Sequence, residues 1–141
     1  MKKSHNRVYI SGPMSGVPRE VYLERFRTAE RMLREEGYHS IVNPVRVWTC
    51  RFPWLFRLVG YRLTLIYDLW LLSRCQRFYK MPGWRASRGC QIESCMAYNL
   101  QIFLVARPIR DRINKVLEKS AVRQDAEKQD KSDHCESSSQ P

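Results

Sequence analysis

The chain has no CxxC pair. Its five cysteines, Cys50, Cys75, Cys90, Cys95 and Cys135, are odd in number and scattered, which argues against a zinc site and against a disulfide framework. Three of them lie in apolar stretches, where a reduced thiol packs as a small hydrophobe. Uninterrupted apolar runs are also missing. The most apolar segment, VWTCRFPWLFRLVGYRLTLIYDLWLL, is broken by Arg51, Arg57, Arg62 and Asp68 and contains Pro53 and Gly60, so no integral membrane span is expected. Lys2 and Lys3 lead into His5, Asn6 and Arg7 rather than into the apolar core of a secretory signal. A cytoplasmic protein without a metal or cofactor is the expectation.

Acidic residues are scarce: 14 against 25 Lys plus Arg, a net charge of +11. The imbalance is concentrated in residues 1–106, with 17 basic and 7 acidic residues, whereas residues 107–141 hold 8 and 7. A basic body favours anionic partners such as nucleotides, nucleic acid or an acidic membrane surface. Between Glu36 and Glu93 the single acid is Asp68.

What is present reads as an α/β chain. Val8 to Ser11 is a short buried strand ending at Gly12-Pro13. Val21, Tyr22, Phe26, Ala29, Met32 and Leu33 recur at helical spacing over Arg19 to Glu36, and Gly37 stops the helix. YHSIVNP supplies a second strand, and a strand–helix–strand unit of these lengths makes the strands parallel. Residues 46–60 form an aromatic, arginine-rich insertion without a clean period, expected as a loop or short helical excursion. Tyr61 to Cys75 is expected as a helix with a broad apolar face of Leu63, Leu65, Ile66, Leu69, Trp70 and Leu72. RFYKM is a third strand, residues 90–99 a helix, and IFLVA (102–106) a fourth strand. A C-terminal helix over 107–123 and a disordered polar tail over 124–141 complete the reading.

This order predicts a flavodoxin-like open sheet, mostly parallel, with helices on both faces. Ligands of such sheets sit beyond the carboxyl ends of the strands, where the strand order reverses. Two loops meet there, Gly12 to Pro18 and Pro82 to Gly89. The first, SGPMSG, offers backbone N–H groups and the Ser11 and Ser15 hydroxyls to an anion, with Gly12, Met14 and Gly16 between them. A tight turn that needs glycines explains it equally well. The second loop brings Ser87, Gly89 and Glu93 to the start of a helix, whose dipole favours an ionised Glu93, either as a nucleophile or simply as a helix-stabilising glutamate, the latter being the more common use of such a residue. Asp68 among Tyr67, Leu69 and Trp70 is costly unless it is exposed, paired with an arginine or functional. Tyr9 faces either the core or the site. One nucleophilic carboxylate, one candidate acid and an anion loop suggest glycosyl chemistry, with a nucleobase as leaving group.

YISGPMSG, NP, YDLWLL and PGWRASRGCQIESCMAYNL together resemble the nucleoside 2-deoxyribosyltransferase-like superfamily, closest to its domain of unknown function 4406 branch, over roughly residues 7–106. The resemblance implies a flavodoxin-like fold and cleavage of the N-glycosidic bond of a 2'-deoxynucleoside or its 5'-monophosphate. It assigns the nucleophile to Glu93, the acid that handles the base to Asp68, and the orientation of the nucleophile to Tyr9. Ser87, six residues before Glu93, stands where monophosphate hydrolases of the superfamily carry Ser, which favours a nucleotide substrate. The resemblance also implies a homo-oligomer. The chain departs from the branch at Gln76, where Asp is usual after Cys.

Two further classes of function compete. A nucleotide-binding or sensing module of the same fold would bind mononucleotides without consuming them. Nucleic-acid binding rests only on charge and on the aromatics interleaved in RVWTCRFPWLFR, and is disfavoured. Contact with a membrane surface through Trp48, Phe52, Trp54 and Phe56 is the remaining use of that insertion.

Overall fold

A computed structural model describes residues 6–46 and 53–136. Its centre is a sheet of four parallel strands in the order β2-β1-β3-β4, where β1 is Arg7–Ser11, β2 Ser40–Val42, β3 Arg77–Lys80 and β4 Phe103–Leu104. From β1 the chain crosses outward to β2, then returns to the far side of β1 as β3. The order reverses between β1 and β3, so the crevice expected of an open α/β sheet falls at their carboxyl ends.

Strand alternation divides β1 between two layers. Val8 and Ile10 pack with Tyr79 against Phe26, Ala29 and Leu33 of α1 (Arg19–Glu35) and Ile113 and Leu117 of α4 (Arg107–Glu136). Tyr9 and Phe78 face the other way, against Leu71 and Leu72 of α2 (Pro53–Ser73) and Ala97 of α3 (Arg88–Asn99). Helices therefore cover both faces, and the α/β open sheet agrees with a flavodoxin-like fold.

Part of the aromatic insertion takes the helical alternative expected for it: α2 begins at Pro53, a residue suited to a first helical position, and bends at Gly60 (φ 77°, ψ 161°) before the helix expected from Tyr61. Residues 47–52, with Trp48 and Phe52, lie outside the described residues. Three other features differ from the sequence reading. The buried stripe of α2 is Thr64, Asp68, Leu71 and Leu72, while Leu63, Ile66 and Trp70 are exposed. Nearly every position of this helix is apolar, so periodicity does not distinguish its faces. The polar stretch from Gln124, expected to be disordered, is helical through Glu136. Its Ala, Arg, Gln, Glu and Lys are strong helix formers even without apolar anchors. The fourth strand has only two residues, Phe103 and Leu104, at the sheet edge.

A buried polar cluster fixes the end of β2. Asn43 Nδ2 donates to Glu30 Oε2 at 2.9 Å, and Arg34 and Arg46 hold the same carboxylate at 2.9 and 3.1 Å. Burial alone would raise the Glu30 carboxyl, but these hydrogen bonds and charges more than offset it and lower it. Asn43 Oδ1 also accepts from Val45 N at 3.0 Å, so the NP step is a side-chain-closed turn. Among the described residues no helix is long and apolar enough to cross a membrane.

Candidate active site

Tyr9 and Ser11 point to the same face of β1 because they are two residues apart on a strand. Glu93 reaches them from the second turn of α3. The Tyr9 hydroxyl donates to Glu93 Oε1 at 2.8 Å and the Ser11 hydroxyl to Glu93 Oε2 at 2.5 Å. Both carboxylate oxygens are thus held inside the protein, with Glu93 only 7% exposed. Tyr9 is itself fixed by stacking on Phe78, with ring centroids 6.1 Å apart.

Asp68 enters from α2 and is equally buried. No cation pairs with it among the described residues, so the ion-pair explanation of this lone acid finds no support there. Burial, and then the charge of Glu93, push its carboxyl up to about 7. Burial also raises Glu93, while the hydroxyls of Ser11 and Tyr9 act in the opposite direction. The helix dipole, expected to keep Glu93 ionised, does not decide its titration: the effect fades beyond the first turn, and Glu93 lies past it. The Tyr9 hydroxyl is raised well above its ordinary value by burial and by the two acids. Of the two carboxyls, Glu93 has the hydroxyl donors that stabilise its charged form, so Asp68 is the better proton carrier.

The remaining sequence candidates are spread along the two loops. Gly12 is buried, and a Cβ there would lie 2.6 Å from Met81 Sδ and 3.1 Å from Phe26 Cζ. A Cβ at this position would crowd the buried Met81 and Phe26 side chains, so close packing favours glycine here. Met14 packs on the core, and Ser15 and Gly16 are exposed in a turn closed by Val17 N donating to Met14 O at 3.3 Å. Gly16 has φ 77° in open space, as the third position of a type II turn demands. Ser87 is the N-cap of α3, its hydroxyl accepting from Cys90 N at 3.5 Å, and Gly89 follows in the first helical turn.

The structure thus joins Tyr9, Ser11, Asp68 and Glu93, and places Ser15 and Gly16 on an exposed turn. It adds Cys90, a buried thiol that interacts with the hydroxyls of Ser11 and Ser87 and is raised mainly by burial. Its position three residues before Glu93 on α3 is the signal that identifies it. Gln76 lies at the opposite, amino end of β3, where its Oε1 accepts from Arg7 N at 3.2 Å and its N–H donates to Arg7 O at 3.0 Å. The departure at this position thus falls at the other end of the strand from the carboxylates.

A family profile described as Domain of unknown function (DUF4406) matches residues 6–106. The chain belongs to this family. The match takes in all four strands and every residue of the carboxylate cluster. Searches of curated proteins and of solved structures find no match.

Proposed function

We propose that the chain is an N-glycosidase or deoxyribosyltransferase-like enzyme that cleaves the N-glycosidic bond of a 2'-deoxynucleoside 5'-monophosphate. The observation that supports it is the buried pair of acids in unequal settings, Glu93 held by two hydroxyls and Asp68 raised to about 7. The resemblance to the nucleoside 2-deoxyribosyltransferase-like superfamily points the same way. In this reading Glu93 attacks the anomeric carbon as a carboxylate, and the bond to the base breaks as Asp68 delivers its proton to the leaving base. The glycosyl ester on Glu93 is then opened by water, whose proton returns to Asp68, or by a second base. Tyr9 and Ser11 orient the nucleophile and accept the loss of its charge when the ester forms.

Base release from a panel of 2'-deoxynucleoside 5'-monophosphates tests the proposal, with Glu93→Ala alongside and a second free base as acceptor. Release by the wild type alone supports it, and a new 2'-deoxynucleotide carrying the acceptor base assigns transfer. Release retained by Glu93→Ala overturns it. Tight nucleotide binding without release selects the sensing module of the same fold.

A further inference from the structure

One strand away from the carboxylates, the same carboxyl edge of the sheet carries a group of cations with no acidic partner among the described residues. Lys80 is in register with Ser11 across the β1–β3 pairing, at the carboxyl ends of both strands and on the same face. Its Nζ lies 3.1 Å from the hydroxyl of Ser94, the residue after Glu93, and 4.1 Å from the centroid of the Trp84 ring. The Arg85 guanidinium approaches that ring at 5.6 Å. Arg110 comes from the first turn of α4 and acts on Lys80 together with Arg85. None of the three forms an ion pair among the described residues.

Neighbouring like charges repel, and helix starts add to the field. Both helices that begin at this edge, α3 and α4, have no acid in their first turns, where a negative charge is favoured. They carry Arg88, Arg107 and Arg110 instead. Lys80 is half-buried, and burial, followed by the charges of Arg110 and Arg85, lowers its ammonium below the usual lysine value. A bound anion would relieve all of these costs together. The SGPMSG loop is a weaker alternative, since the Ser11 hydroxyl is engaged by Glu93 and Gly12 is filled by packing.

We propose that Lys80, Arg85 and Arg110 form the phosphate subsite at this edge of the sheet, with Trp84 as its wall, and that it takes the phosphate monoester of the substrate. The identity of the ligand rests on the deoxynucleotide reading above. The anion site itself rests on the cations.

The test is calorimetric titration of the full chain with inorganic phosphate and with a non-hydrolysed mononucleotide control, followed by base-release kinetics on 2'-deoxynucleotides and the matching nucleosides. Lys80→Met keeps the buried stem and removes the charge; Arg110→Gln is the second variant. Arg31→Gln, an exposed change on α1, controls for net charge. Phosphate binding is expected to weaken about tenfold or more in Lys80→Met and Arg110→Gln, and to change less than twofold in Arg31→Gln. Equal weakening in all three, or no phosphate binding by a folded wild type, overturns the subsite. Phosphate bound through Lys80 with no base released from any nucleotide supports the subsite and rejects the glycosidase reading. Nucleotide cleavage with KM unchanged in folded Lys80→Met retains that reading and rejects the subsite.

Discussion

The Ser11 hydroxyl and the Glu93 carboxylate meet at 2.5 Å across 82 residues of sequence. This contact ties the end of β1 to α3, and it supplies one of the two donors that favour the charged form of Glu93. Ser11→Ala removes that donor inside a buried site. The expected result is a loss of about 1–3 kcal/mol in stability, measured by urea unfolding at pH 7. Glu93 should also titrate higher, so any base release should shift its acidic limb to higher pH. An unchanged unfolding midpoint and pH profile would remove Ser11 from the site.

Asp68 gives a pH dependence with a definite sign. Its carboxyl rises from an ordinary 3.8 to about 7 on folding, so between these values the folded chain binds the proton more tightly than the unfolded one. Stability from this group is complete below about pH 4 and declines as pH rises toward 7, by at most about 4 kcal/mol. Asp68→Asn should flatten this slope and be more stable than the wild type at pH 8. If Asp68 is the acid, base release by the wild type should fall through about pH 7. A wild type and an Asp68→Asn variant with parallel stability curves from pH 4 to 8 would contradict the burial argument.

The strands and the helix α1 were legible in the sequence because their residues have unambiguous patterns. Val8 to Ile10 is a short apolar run bounded by Gly-Pro, and Phe26, Ala29 and Leu33 repeat at helical spacing. Asp68 could be singled out because a lone acid in an apolar segment is costly, and Glu93 because it follows a small-residue loop near a helix start, whereas Tyr9 read equally as core. Their meeting could not be read from spacing, since Tyr9 and Glu93 are brought together only by the β1–β3 crossover and the packing of α3. The orientation of α2 was illegible for a different reason. Thr64 and Asp68 face inward while Leu63, Ile66 and Trp70 face outward, an arrangement opposite to what hydropathy alone favours. The Asn43–Glu30 contact likewise depends on a tertiary pairing between α1 and the end of β2.

The two glycines of the first loop should respond differently to alanine. At Gly12 the added Cβ meets Met81 Sδ at 2.6 Å and Phe26 Cζ at 3.1 Å, so the cost is crowding, about 1–3 kcal/mol. Trimming the neighbour in the double variant Gly12→Ala with Met81→Ala should recover part of that crowding, read as a favourable coupling in a double-mutant cycle. At Gly16 the space is open and the cost comes from φ 77° alone, about 1 kcal/mol, with no coupling to Met81. Thermal unfolding of the three single variants and of the two double variants with Met81→Ala distinguishes crowding from backbone strain. Equal coupling at both positions would discard the distinction.

Gln76 separates a foundation from a site. Its side chain and backbone pair with Arg7 at the amino ends of β1 and β3, while the carboxylates occupy the carboxyl end of β1. An aspartate has an oxygen that can accept the same Arg7 N–H but a side chain one methylene shorter. Gln76→Asp is therefore expected to alter stability by about 1 kcal/mol or less and to leave any base release within twofold of the wild type. Gln76→Leu, which cannot accept the hydrogen bond, should destabilise by about 1–2 kcal/mol, again without changing KM. A large change in KM for either variant, with stability intact, would mean that the amino end of β3 takes part in substrate binding and would move the site away from the crevice between β1 and β3.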